Sequence, residues 1–304
     1  MPAAPHIFTL TGNLLAERTL EFSHWTAGRT QRAGRESFHT RGKGVNVSNM
    51  LHRLGSPNTA LLFAGGAAGA ECEAWLRQRG LAYHAFATHT ATRTGTVIWS
   101  DTQAETTFLG PDVVPDAAAV QACARFLDAQ PDGQVLALCG SFPGWDAAQF
   151  IPLREALGRW LKRGIIAADV YGPPLYWLAQ QPLAVIKINR AEFDAFFPAG
   201  QPAESLPTRL RVARRQWPVR HWIVTDGPNS IWLSSDATEP QELVPPVVQE
   251  VSPTGSGDVF FACLLEAYFG RGQSLHAAAA YAMPFAVANA THPGVADFPL
   301  PLVR

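Results

Sequence analysis

Strand-like apolar runs alternate with helical patterns along most of this chain, and that order leaves few folds open. "HIFTLTG" is followed by "GVNVSNMLHRLG", where Val47, Met50, Leu51 and Leu54 share one helical face. The rhythm continues through "NTALLFAGG", the helix "AECEAWLRQRG", the strand "QVLALCG", a helix over about 146–162, and the strands "GIIAADV" and "LAVIKIN". Strand-then-helix order predicts an α/β fold: a mainly parallel sheet covered on both faces. In such sheets ligands bind beyond the carboxyl ends of the strands, and Asn13, Gly65, Ser141, Asp169, Asn189, Asp226 and the 252–258 loop all fall there. The polar residues gather on one rim.

Composition limits the partners. Twenty-four basic and 25 acidic residues leave a formal net charge of −1, so no global field favours nucleic acid or an anionic membrane, and an anionic ligand must be held locally. Cys72, Cys123, Cys139 and Cys263 are widely spaced, form no CxxC or Cys/His ligand pattern, and read as reduced core residues of a cytoplasmic protein. "MPAAPHIFTL" has no basic region followed by an apolar core, so no secretory signal is expected. "AAAAYAMPFAVANA" at 277–290 is too short to cross a bilayer and predicts a buried helix.

Two stretches break the rhythm. Residues 17–40 and 92–110 read as hairpin material inserted between core elements. As ordinary surface hairpins they would expose Phe22, Trp25, Phe38, Trp99 and Phe108. Together they predict a small β-sheet lid over the rim, protected within one subunit or across a homodimer. No repeat, low-complexity segment or linker divides residues 1–304 further, and "QPAESLPTRL" at 201–210 is the most loop-like insertion.

The chemistry concentrates in two glycine-rich segments. In "SPTGSGDVFFACLLEAYFG", starting at Ser252, Gly255, Ser256 and Gly257 can gather backbone N–H groups at a helix start, where partial positive charge favours phosphate oxygens. Asp258 would repel that anion, so its presence makes sense as a general base for an attacking hydroxyl. Taken alone, the same residues also fit a plain helix entry with an N-cap and a dipole-offsetting carboxylate. "RGKGVNVSNMLHRLG" places Gly42, Lys43 and Gly44 before another amphipathic helix, with Asn46 in its first turn. Neither stretch has Walker A spacing.

Paired and in this order, the two segments resemble the PfkB carbohydrate kinases of the ribokinase-like superfamily. "GKGVNVSNMLHRLG" is similar to that family's N-terminal signature and "PTGSGDVFFA" to its C-terminal one; "GSFPG", "DVYG" and "KINRAE" resemble segments between them. The resemblance spans nearly the whole chain and implies a three-layer α/β/α sandwich. Lys43, the Thr92-Arg93 pair and "KINRAE" look most like the fructose-1-phosphate and tagatose-6-phosphate kinase branch. The resemblance then implies ATP-dependent phosphoryl transfer to a sugar or sugar phosphate, with Mg²⁺. Asp258 becomes the catalytic base and Gly255, Ser256 and Gly257 the anion hole. Asn13, Glu17, Gly42, Lys43, Asn46, Arg93 and Ser141 are assigned to the substrate. Lys187, Asn189, Thr225, Gly227, Thr254 and Asn289 are assigned to the nucleotide, and Glu192 acts indirectly on the metal.

Three departures fall near the inferred sugar and phosphate positions. Arg41 stands where a glycine is expected, Ser252-Pro253 replaces Asp-Thr, and Glu17 replaces an aspartate. They keep two other readings in view: a kinase for an unphosphorylated sugar or nucleoside, and a catalytically weak sugar or nucleotide sensor.

Overall fold

The computed structural model describes residues 4–197, 205–235 and 238–301. In chain order the first half comprises β1 (Ile7–Thr11), β2 (Leu15–Phe22), β3 (Arg35–Arg41), α1 (Lys43–Arg53), β4 (Asn58–Ala64), α2 (Gly66–Gln78), β5 (Tyr83–Ala87), β6 (Arg93–Ser100), β7 (Thr106–Leu109), α3 (Ala117–Asp128) and β8 (Val135–Gly140). There follow α4 (Ile151–Trp160), β9 (Ile165–Val170), α5 (Pro173–Ala179), β10 (Val185–Asn189), α6 (Arg190–Asp194), α7 (Leu206–Gln216), β11 (His221–Asp226), β12 (Ser230–Ser235), β13 (Thr238–Leu243), α8 (Ser256–Leu265) and α9 (Leu275–Ala290).

Among the described residues, nine strands form the central sheet in the order β13-β12-β11-β10-β9-β8-β1-β4-β5. Every pair from β5 to β11 is parallel, and β12 and β13 add an antiparallel edge. Alternation along each strand sorts the core. Leu136, Leu138, Ile186, Ile188 and Trp222 pack towards α3, α4, α5 and α7, whereas Ala137, Cys139, Ala167, Val185 and Ile223 pack towards α1, α8 and α9. Each large apolar side chain so buried contributes roughly 1.5–3 kcal/mol. All four cysteines are buried and unpaired.

The helix expected over 146–162 starts later, as a short 3₁₀ turn at Ala148–Phe150 leading into α4, because Pro152 suits a first helical turn and not an interior. Of the predicted 201–210 insertion, 201–204 lie outside the described residues, while Leu206–Leu210 belong to α7. The predicted buried helix is α9, which carries Pro284 internally. No helix among the described residues is long and apolar enough to cross a membrane.

The interrupted segments form the predicted small sheet, ordered β3-β2-β6-β7. Its centre is a parallel pair, β2 with β6, flanked by antiparallel neighbours. The register sets Arg41, Leu15 and Arg93 side by side across three strands, so both arginines project from the same face at the base of the lid.

Candidate active site

Four charged side chains meet where β9 and β10 end beneath the first turns of α1 and α8. The side chain of Asp169 points to the α1/α8 face and is 0 % exposed. Lys43 Nζ donates to one of its oxygens at 2.6 Å, and Lys187 Nζ donates to the other at 2.8 Å. Asp258, in the first turn of α8, accepts a 2.7 Å hydrogen bond from Asn46 Nδ2.

Burial sets the electrostatics of this group. It lifts the Asp258 carboxyl to about 6, with the Asp169 charge pushing the same way and Lys43, the Asn46 bond and Lys187 opposing. The carboxylate is therefore ionised at neutral pH yet far more basic than an exposed aspartate. Desolvation acts in the same sense on Asp169, but Lys187 and Lys43 overcome it and hold that carboxyl below its ordinary range. For Lys43, burial favours the neutral amine; Asp169, Asp258 and Glu192 outweigh it and keep the ammonium charged.

Gly255 precedes α8 with φ +77°. That left-handed conformation suits glycine, and a Cβ there would stand 2.3 Å from Val295 Cγ1. The N–H groups of Ser256 and Asp258 turn back to the carbonyls of Pro253 and Gly255 at 3.2 and 3.0 Å. Among the described residues no hydrogen bond takes up the N–H groups of Gly255 and Gly257, which remain as donors at the helix start. Asn289, 0 % exposed on α9, braces this loop through Thr254 O (3.0 Å) and Ser256 Oγ (3.1 Å), and accepts from Ala296 N (2.8 Å).

A cavity of about 750 Å³ lies between the lid and the body, lined by Glu17, Arg41, Gly42, Lys43, Asn46 and Arg93, with Thr254 and the 293–295 loop across from them. Arg41 Nε donates to Glu17 Oε1 at 3.0 Å, and both side chains are nearly buried. Arg93 donates to Asp112 Oδ1 at 3.0 Å; Asn13 Nδ2 donates to the same oxygen at 2.7 Å and to Ser141 Oγ at 3.1 Å. From the lid, Glu105 accepts from the hydroxyls of Ser252 and Thr254, each at 3.0 Å. His39, on the same lid face, is held near 4 by burial and by Arg41 and Arg79, and so is neutral.

On the far side of Asp169, Asn189 and Glu192 form a reciprocal capping box at the start of α6, each side chain bonded to the other's backbone at 2.9 Å. Thr225, next to the last residue of β11, directs its hydroxyl to Ile188 O at 3.5 Å, and Gly227 follows the strand in the turn to β12 at φ +53°.

Comparison with known proteins gives this constellation a family. The chain matches the pfkB family of carbohydrate kinases over residues 13–302. It belongs to that family. Within it, the chain is 29 % identical over 192 residues to the D-tagatose-1-phosphate kinase of Bacillus licheniformis, a match spanning 63 % of this chain and 62 % of that protein. Solved structures share the fold: the tetrameric inhibited form of Escherichia coli phosphofructokinase-2 superposes with a TM-score of 0.84 at 19 % identity, covering 94 % of each chain. Thermotoga maritima ribokinase gives 0.72 at 17 % identity, covering 97 % of this chain and 96 % of its own. The ribokinase-like fold expected from the sequence is thus present.

In this pfkB chain the structure gathers Lys43, Asn46, Asp258 and the 255–257 loop around one point, and sets Asn13, Arg93 and Ser141 beside each other at the lid base. Lys187 lies against Gly257 in the 255–257 loop, 4 % exposed, whereas Asn189, Thr225 and Gly227 stand at the open strand ends. Sequence reasoning passed over Asp112, Glu105 and the role of Asp169. Asp169 already stood on the polar rim in "DVYG"; nothing local distinguishes Asp112 or Glu105 from solvated loop acids.

Proposed function

We propose that this protein transfers the γ-phosphoryl group of ATP to a hydroxyl of a sugar phosphate, with a ketohexose monophosphate as the acceptor class. The observation that carries this reading is the buried Asp258, lifted to about 6 and oriented by Asn46, directly after two glycine amides at a helix start. Asp258 takes the proton of the acceptor hydroxyl as its oxygen attacks the γ-phosphorus and the bond to the ADP leaving oxygen breaks. The amides of Gly255 and Gly257 bind the charge on the transferring group. Lys43 and Arg93, both on the cavity wall, hold the acceptor's phosphate. The D-tagatose-1-phosphate kinase relative and a fructose-6-phosphate complex of phosphofructokinase-2 support this class.

No cluster of three or more acidic, histidine or cysteine side chains among the described residues forms a metal cage. Magnesium with a nucleotide needs only one or two carboxylates beside the phosphates, and Glu192, close enough to act on Lys43, fits that demand with Asn189. The ion would neutralise the nucleotide phosphates. Thr225 and Gly227 form the nucleotide wall. The lid excludes water, and exposed Phe108 and Leu109 at its β7 edge support a homodimer contact there.

The pairing of Arg93 with Asp112 and of Arg41 with Glu17 favours one rival, a neutral sugar or nucleoside as acceptor, since both cations already have partners. A panel of sugars, nucleosides and sugar phosphates read by ADP release decides between them. Ketohexose phosphates should turn over fastest, and Lys43→Ala and Arg93→Ala should each raise their KM by about tenfold or more, the loss of one charge-assisted hydrogen bond. Unchanged KM in both variants overturns the sugar-phosphate assignment.

A further inference from the structure

The site contains one fully buried charge that the transfer chemistry does not use. Asp169 takes no part in the proton transfer or the amide cradle proposed above, yet its two oxygens take the ammonium groups of two lysines on different elements. Lys43 comes from the first residue of α1 and keeps about a quarter of its side chain exposed on the cavity wall. Lys187 comes from β10 and is nearly buried; a Cβ placed on Gly257 would stand 2.7 Å from its Nζ, so this ammonium lies directly against the phosphate loop. One carboxylate thus joins a cation on the acceptor side to a cation on the phosphoryl side.

We propose that Asp169 is a positioning residue that sets Lys43 and Lys187 relative to each other across the transfer path. The proposal rests on the phosphoryl-transfer reading above. Each ammonium has three donors and no acceptor. Asp169 uses one donor of each, which directs the remaining donors of Lys43 into the cavity and those of Lys187 towards the loop. Two flexible four-carbon side chains with like charge would otherwise separate, and solvent could not screen them at this depth. With Asp258 ionised, the two lysines and two carboxylates sum to zero charge. When Asp258 takes the acceptor's proton the group becomes net cationic, as negative charge builds on the transferring oxygens.

A buried ion pair serving stability alone would have the same distances, so the test must separate the two roles. Kinetics of Asp169→Asn with the fastest-turning ketohexose monophosphate should show acceptor KM raised and kcat lowered, each by about tenfold or more. In a Lys43→Met background, Asp169→Asn should no longer move acceptor KM by more than about twofold, and in a Lys187→Met background it should no longer move kcat, because coupled partners are non-additive. Equal effects of Asp169→Asn with and without each lysine overturn the proposal, as does a folded Asp169→Asn enzyme with unchanged constants. Should Asp169→Asn alone not fold, Asp169→Asn with Lys187→Met, which removes the surplus cation, is compared with Lys187→Met for acceptor KM. A rise of about tenfold supports the positioning role and an unchanged value overturns it. Asp258→Asn is measured in parallel: retained turnover there removes the general base without bearing on Asp169, whereas loss there with normal Asp169→Asn constants removes only the positioning role.

Discussion

Replacing Asp258 with asparagine should make the protein inactive and, at neutral pH, more stable. The carboxyl is lifted from an ordinary value of 3.8 to about 6 because its charged form is buried. A rise of roughly two pH units means the fold holds this proton about 3 kcal/mol more tightly than the open chain does, at ~1.36 kcal/mol per unit. The sign follows from which state binds the proton better. A raised folded-state value favours the fold fully below about 3.8, and that advantage is lost as pH rises through about 6. Wild type therefore carries an ionised, desolvated carboxylate at neutral pH. The asparagine side chain in the Asp258→Asn variant is neutral at every pH, and its amide oxygen can still accept from Asn46. The stability difference between variant and wild type should be near zero close to pH 4, grow between about 4 and 6, and level off near 3 kcal/mol above that range. Urea denaturation of both proteins across this range measures it, and titrating groups remote from Asp258 cancel because the two proteins share them. Above about pH 6, where the wild-type carboxylate is ionised, turnover should fall by about 10²- to 10⁴-fold, and the gap should narrow at lower pH. A stability difference that is flat with pH, or of opposite sign near pH 8, would refute the account of Asp258 as a strained, buried base.

Wild-type turnover itself should fall as pH drops through about 6, following protonation of Asp258, as a pH–rate profile would show. Gly255→Val should lose more than about 2 kcal/mol of stability in thermal or urea unfolding, from the left-handed φ and the collision with Val295, whereas Gly257→Ala should fold, push Lys187 aside and lose turnover. Arg41→Gly enlarges the cavity but strands Glu17, so it should cost about 3–5 kcal/mol in urea unfolding, and adding Glu17→Gln should recover most of this. Glu105→Ala should speed hydrogen exchange in both 101–109 and the 252–254 loop; a change confined to the lid would show that the two are not joined.

The fold and the chemical centre were legible to different depths. Strand-helix alternation, the two glycine-rich helix starts and the two lid segments are local patterns, and local patterns survive in a linear reading. The 255–258 loop could be interpreted before its shape was known because amides, glycines and carboxylate are contiguous. The partners of Lys43, Arg93 and Arg41 could not. Lys43 pairs across 126 residues, Arg41 across 24, and Glu105 reaches Ser252 across 147. Each such pairing depends on strand order and register, which no local pattern specifies. The three departures from the family's residues also acquire physical partners: Arg41 and Glu17 neutralise each other, and Ser252 bonds a lid carboxylate.

The parallel pairing of β2 with β6 determines when the lid can form. A hairpin can zip from its turn, but parallel neighbours need a crossover, and here the chain between them runs through β3, α1, β4, α2 and β5. Leu15 and Arg93 are neighbours in the register, so their pairing should wait until that whole unit has docked on the central sheet. Contacts of such sequence separation are slow to form and carry a large loop-closure cost. The cover over the cavity should therefore be among the last parts to assemble during refolding, so that competence to bind acceptor lags behind the appearance of the core.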